Sequence, residues 1–143
     1  MNKTTKTVGA GIATVATIAL TATSANANGT LIKVGKYGAL SATHNVAYIK
    51  LKLTCSPDTT FAQVDFDLHQ VTAGGPQDQH VDVSLTNSIE CTGNEEAVWI
   101  SVRRPTGGFK WVKGAARVSD VDFYTDAPEP THSHLDGRTV YLR

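Results

Sequence analysis

From Val46 onward, apolar side chains recur at every second position, and no stretch keeps a helical period. Ala47, Ile49, Leu51, Leu53 and Cys55 share one parity; Val46, Tyr48, Lys50, Lys52 and Thr54 share the other. Successive side chains of an extended chain point to opposite faces, so this segment predicts a half-buried strand that delivers Cys55 to its inner side. Ala62, Val64, Phe66 and Leu68 repeat the pattern against Gln63, Asp65, Asp67 and His69, and Val81, Val83 and Leu85 repeat it against His80, Asp82 and Ser84.

Turn signals punctuate these runs. Thr72 to Gln79, with Gly74-Gly75-Pro76, predicts a loop closing a hairpin in which Val71 faces His80, Leu68 faces Val83 and Phe66 faces Leu85. That register makes the apolar faces coincide, and a one-residue slip would turn one set to water. Pro105-Thr106-Gly107-Gly108 predicts a second hairpin, with Arg104 opposite Phe109, Arg103 opposite Lys110 and Val102 opposite Trp111. In that arrangement Phe109 and Trp111 are core residues. Leu31 to Val34, Ala115 to Phe123 and Thr139 to Leu142 read as further strands, and Asp126 to Gly137 as a surface loop.

Seven or eight short strands separated by turns predict an all-β fold: an antiparallel two-sheet sandwich, loosely immunoglobulin-like. The Cys–Trp–Cys spacing of antibody domains is absent, because Trp99 and Trp111 both follow the second cysteine.

Lys3 and Lys6, the apolar run Val8 to Leu20 and the triplet Ala25-Asn26-Ala27 have the order of a secretory signal peptide cleaved after Ala27. Residues 1–27 are thus expected to be a leader and residues 28–143 a single secreted, extracellular domain. The apolar run falls short of the ~20 residues a membrane-spanning helix needs, so no stable anchor is expected. In an oxidising compartment Cys55 and Cys91, the only cysteines, are expected to form one disulfide. No CxxC or Cys–His cluster supplies ligands for a metal instead.

The leader carries two lysines and no acid, so residues 28–143 hold 11 basic and 13 acidic side chains. A mildly acidic domain lacks the global field that gathers nucleic acid, which is not an expected partner. Nucleophile elbows, HExxH and glycine-rich phosphate loops are all missing. No catalytic residue, cofactor or metal site is therefore assigned, and an enzyme is not expected.

Three groups could nevertheless carry chemistry. His69 opposite Asp82 and Asp67 opposite Ser84, with Asp65 beside them, place potential metal ligands on neighbouring strands. His132-x-His134-x-Asp136 offers three more in the expected loop. The basic hairpin of Arg103, Arg104, Lys110 and Lys113 sets like charges opposite each other, a local cost that marks a candidate anion or partner surface. Trp99, out of parity with Val98 and Ile100, and Tyr48 complete that candidate surface as exposed aromatics.

At Cys55, Gln70, Cys91-x-Gly93, Trp99 to Val102 and Gly114-Ala115 the chain resembles small secreted actinobacterial single-disulfide β-sandwich proteins of unknown function. The resemblance spans roughly residues 46–124. It implies export and a β-sandwich, and it carries over no catalytic residue. The expected function is a non-catalytic binding domain contacting an extracellular protein or cell-envelope polymer. The alternative is an extracellular hydrolase inhibitor, although no reactive-site loop with paired flanking cysteines is visible; a metal-dependent enzyme ranks third.

Overall fold

The computed structural model describes residues 29–143; the expected leader, with its cleavage after Ala27, lies outside the described residues. Eight strands and no helix make up the described chain: β1 (Thr30–Val34), β2 (Tyr37–Leu40), β3 (Val46–Thr54), β4 (Ala62–Thr72), β5 (Gly75–Ser84), β6 (Glu96–Arg103), β7 (Gly114–Thr125) and β8 (Thr131–Leu142). Among the described residues no helix is long and apolar enough to cross a membrane.

β3 pairs with β6 along its length on one edge, and on the other with β2 near its start and β1 near its end. β2 then turns to β8, the one parallel pairing, and antiparallel strands follow in the order β8-β7-β4-β5. The sheet is therefore mixed and mostly antiparallel. The segment from Thr30 to Leu40 joins its two halves: Gly35 N–H donates to Lys50 O, whereas Lys36 O accepts from Tyr141 N–H.

The alternation predicted for β3 and β4 is the one observed. Ala47, Ile49, Leu51 and Leu53 meet Val64, Phe66, Leu68, Val118 and Phe123 in one buried cluster. Cys55 and Cys91 form the expected disulfide, tying the end of β3 to the segment that leads into β6.

Both predicted hairpins need correction. β4 and β5 are joined by a two-residue turn, with Thr72 opposite Gly75, so the expected loop from Thr72 to Gln79 is mostly strand. The register moves by four residues: Phe66 faces Val81 and Val64 faces Val83. An even shift preserves parity, which is why the apolar faces could not distinguish the two registers. Pro76 read as a loop residue, but β5 is an edge strand, where a missing N–H is tolerated.

The second hairpin does not form. β6 ends at Arg103, and residues 104–113 cross over as an irregular segment after the Pro105–Gly108 turn. Arg103 is thus opposite Val46 rather than Lys110, and the inferred like-charge pair is absent. Two glutamines do the work of a partner strand. Gln70 Oε1 accepts from Val112 N–H at 3.0 Å while its Nε2 donates to Val112 O at 2.8 Å. Its cross-strand neighbour Gln77 does the same for the N–H and C=O of Phe109. These amides satisfy backbone groups that would otherwise lie part-buried without partners.

Trp111 is fully buried, as expected, and its Nε1 donates to Val102 O at 3.1 Å. Phe109 is exposed, contrary to expectation, with its ring laid over the turn at Gly74, where a Cβ would come within 2.3 Å of it. Residues 131–137 of the expected loop belong to β8, which keeps one register along β7, whereas β7 bulges against β4 where Asp120 takes φ 49°. Gly137 faces Ser119 at φ 126°, where a Cβ would lie 2.2 Å from Val118 O. Only glycine fits there.

Candidate functional site

Two charged surfaces of opposite sign cover the outer faces of the sheet. The first surrounds an open cleft of about 380 Å³ where β1, β2, β3, β6 and the end of β8 converge. Six cations line it: Lys33, Lys36, Lys50, Lys52, Arg138 and Arg143, together with the aromatics Tyr37 and Trp99. Lys33 stands directly opposite Lys52 on the neighbouring strand, and Lys50 opposite Trp99. Glu95 neutralises Lys52 alone, at 3.2 Å.

The aromatics hold cations in place. Lys50 Nζ lies 5.8 Å from the centroid of Trp99, and the Tyr37 ring receives Arg143 at 4.0 Å and Lys36 at 5.4 Å. Arg138 Nη1 donates to Val34 O at 2.7 Å, which fixes its guanidinium at the rim. A concave, low-dielectric wall lined by one sign of charge focuses the field on whatever anion enters.

Of the sequence-predicted surface, Trp99 is exposed, Tyr48 is half-buried, and both share the outer face of β3 and β6 with Arg103. Arg104 is committed to the turn, where its Nη1 donates to Gly108 O at 2.7 Å. Lys110 and Lys113 are exposed in the crossing segment, outside the cleft. The alternation left Lys50 and Lys52 on the polar side of β3, a visible signal. Lys33, Lys36, Tyr37, Arg138 and Arg143 come from chain ends far from it in sequence and carried none.

The second surface is the outer face of β5-β4-β7-β8. Asp82, Asp65 and Asp122 stand abreast on three adjacent strands, with His134 next in the row. Burial and the neighbouring Asp122 carboxylate push the Asp65 carboxyl above its ordinary range. Asp122 Oδ1 lies 2.6 Å from His132 Nε2 and 2.8 Å from His134 Nδ1, and His134 Nε2 lies 3.3 Å from Asp136. Burial opposes ionisation of Asp122, but these two imidazoles outweigh it and hold the carboxyl below its usual range. Tyr124 stacks on His132 with centroids 4.6 Å apart.

The predicted pairing of His69 with Asp82 is replaced, through the register shift, by His69 with Asp78 at 2.7 Å and His80 with Asp67 at 2.8 Å. Asp82 instead accepts from Gln63 Nε2 at 2.6 Å. His132, His134 and Asp136 occupy one face of β8, as an extended segment requires, and the structure adds Asp122 to them. Among the described residues, no group of three or more His, Cys, Asp or Glu side chains is arranged to hold a metal ion.

These pairs fix a pH dependence. Hydrogen bonding to Asp67 raises the His80 pKa, and hydrogen bonding to Asp122 raises that of His134. Such pairs contribute fully below the ordinary imidazole pKa of 6.5 and fade as pH rises through the raised values. Asp122, lowered from 3.8, contributes above that value and fades as pH falls through its folded pKa. The urea midpoint should therefore be highest between about pH 4 and 6.5 as far as these groups decide it. NMR titration should place His134 above its ordinary pKa and bring it down in Asp122→Asn; an unmoved His134 resonance would refute the assignment.

The chain was compared with protein-family models and with curated proteins, and it matches none of them.

Proposed function

We propose that the protein is an exported, non-catalytic binding domain, folded as a loosely immunoglobulin-like two-sheet sandwich, whose ligand is an anionic polymer of the cell envelope. The cleft carries this reading: six cations converge on it and one acid offsets them. A protein partner of the same surface is the second form of the binding reading, but a line of like charges matches a repeating anion better than a mixed protein surface.

The state of the rings narrows the chemistry. Tyr37 is engaged by two cations and Trp99 by Lys50, so the aromatics stiffen the charge array rather than offering free platforms to neutral sugars. Polyphosphate and dextran sulfate are suitable probes, with neutral dextran as the control. Retention should be strong at low salt, fall steeply with ionic strength and be absent for neutral dextran. Lys33→Glu/Lys50→Glu should weaken binding roughly tenfold or more through a change of four charges at the cleft. Lys110→Ala, outside the cleft, should leave it unchanged. Equal binding of the neutral polymer, or indifference to the double reversal, would end this proposal.

A further inference from the structure

We propose that the protein self-associates head to tail, the basic cleft of one copy seating on the acidic outer face of β5-β4-β7-β8 of the next. The inference goes beyond polymer binding, although it uses the same cleft. Its first support is charge segregation. Six of the 11 cations of residues 28–143 line the cleft, while Asp65, Asp67, Asp78, Asp82, Asp122 and Asp136 share the acidic face, with Arg117 the one Arg or Lys paired into it, opposite His69.

Its second support is that both faces break the same rule with opposite signs. Like charges directly across a strand pair are destabilising. Lys33 nevertheless opposes Lys52, and Asp65 has an aspartate on either side, Asp82 on β5 and Asp122 on β7. Among the described residues neither array finds its counter-charge, apart from Glu95 on the basic side and the hydrogen-bonded imidazoles on the acidic one. Each is the complement of the other.

Geometry then selects the mode of contact. The inward side chains beneath both faces belong to one core cluster, so the two arrays point outward from that core on different strands and approach each other only at a rim, where Lys33 and Arg138 share a pocket with Asp136. A two-fold contact centred on either array would set cation on cation or carboxylate on carboxylate. The complementary contact is heterologous, and it leaves one basic and one acidic face open on every dimer.

Sedimentation velocity over a concentration series, at about 20 mM and about 500 mM salt, tests this where screening differs most. At low salt the weight-average sedimentation coefficient should rise with concentration; at high salt it should fall to the monomer value. Lys33→Glu/Lys50→Glu keeps the acidic face but sets two acids among the four remaining cations of the cleft, and Asp65→Lys/Asp82→Lys keeps the cleft but sets two cations among the remaining aspartates, so each alone should remain monomeric at low salt. Mixed in equal amounts they should associate, a result that misfolding cannot produce. Wild-type protein that stays monomeric at low salt overturns the proposal and leaves the acidic face to a foreign cation. Association untouched by either reversal, or a mixture that stays monomeric, overturns it as well. Polyphosphate binding by Asp65→Lys/Asp82→Lys, whose cleft is intact, reports separately on the polymer reading.

Discussion

Trp111→Ala is expected to lower the unfolding free energy by about 3–5 kcal/mol, the usual cost of emptying a large aromatic site in a packed core. Trp111 is fully buried, and it is the residue through which the irregular crossing from β6 to β7 enters the core. Its backbone is also committed: Trp111 N–H donates to His44 O at 3.0 Å, and His44 Nδ1 lies 3.1 Å from Trp111 O. Removing the ring therefore leaves a cavity and loosens the loop before β3. Urea denaturation followed by far-UV circular dichroism measures the loss. Trp111→Phe separates the two contributions, since it keeps most of the volume but leaves Val102 O without its indole donor, at about 1 kcal/mol. A Trp111→Ala loss below about 1 kcal/mol would mean that the site collapses freely and that the crossing is not anchored there.

Replacing both cysteines by alanine should cost about 4 kcal/mol, because Cys55 and Cys91 close a loop with a sequence separation of 36. The effect acts mainly on the unfolded chain, whose loop entropy the bridge restricts. The folded arrangement around it should survive, since β3 and β6 remain zipped by eight register pairs from Val46–Arg103 to Leu53–Glu96. Equilibrium unfolding with and without reductant gives the value. An unchanged midpoint would show that the unfolded chain keeps the two segments together without the bond.

The binding surfaces were legible only in part. Trp99 and Tyr48 could be singled out because they broke parity or lay on a polar face, and the pairing of β3 with β6 sets both on one outer face. His132, His134 and Asp136 showed their spacing in the sequence, but Asp122, which binds both imidazoles, became their partner only through the pairing of β7 with β8. The expected basic hairpin failed for a specific reason. Matching apolar faces favoured Val102 opposite Trp111, yet the backbone of Phe109, Trp111 and Val112 bonds instead to Gln77, His44 and Gln70, and β6 pairs with β3 alone. Gln70 and Gln77 held the missing information: polar residues at inward positions of β4 and β5 signal buried backbone in need of partners.

The amino-acid order alone determined the all-β class, the inward parity of β3 and β4 and the disulfide. Each follows from a period of two, or from two thiols in a chain expected to be exported, and neither requires knowing what lies across the sheet. Tertiary structure alone decided the four-residue register of the β4–β5 hairpin, the parallel contact of β2 with β8 and the convergence of six cations on one cleft. Those depend on which strands become neighbours. Any even shift buries the same side chains, so local pattern is silent on neighbours and only the competition among strand edges resolves them.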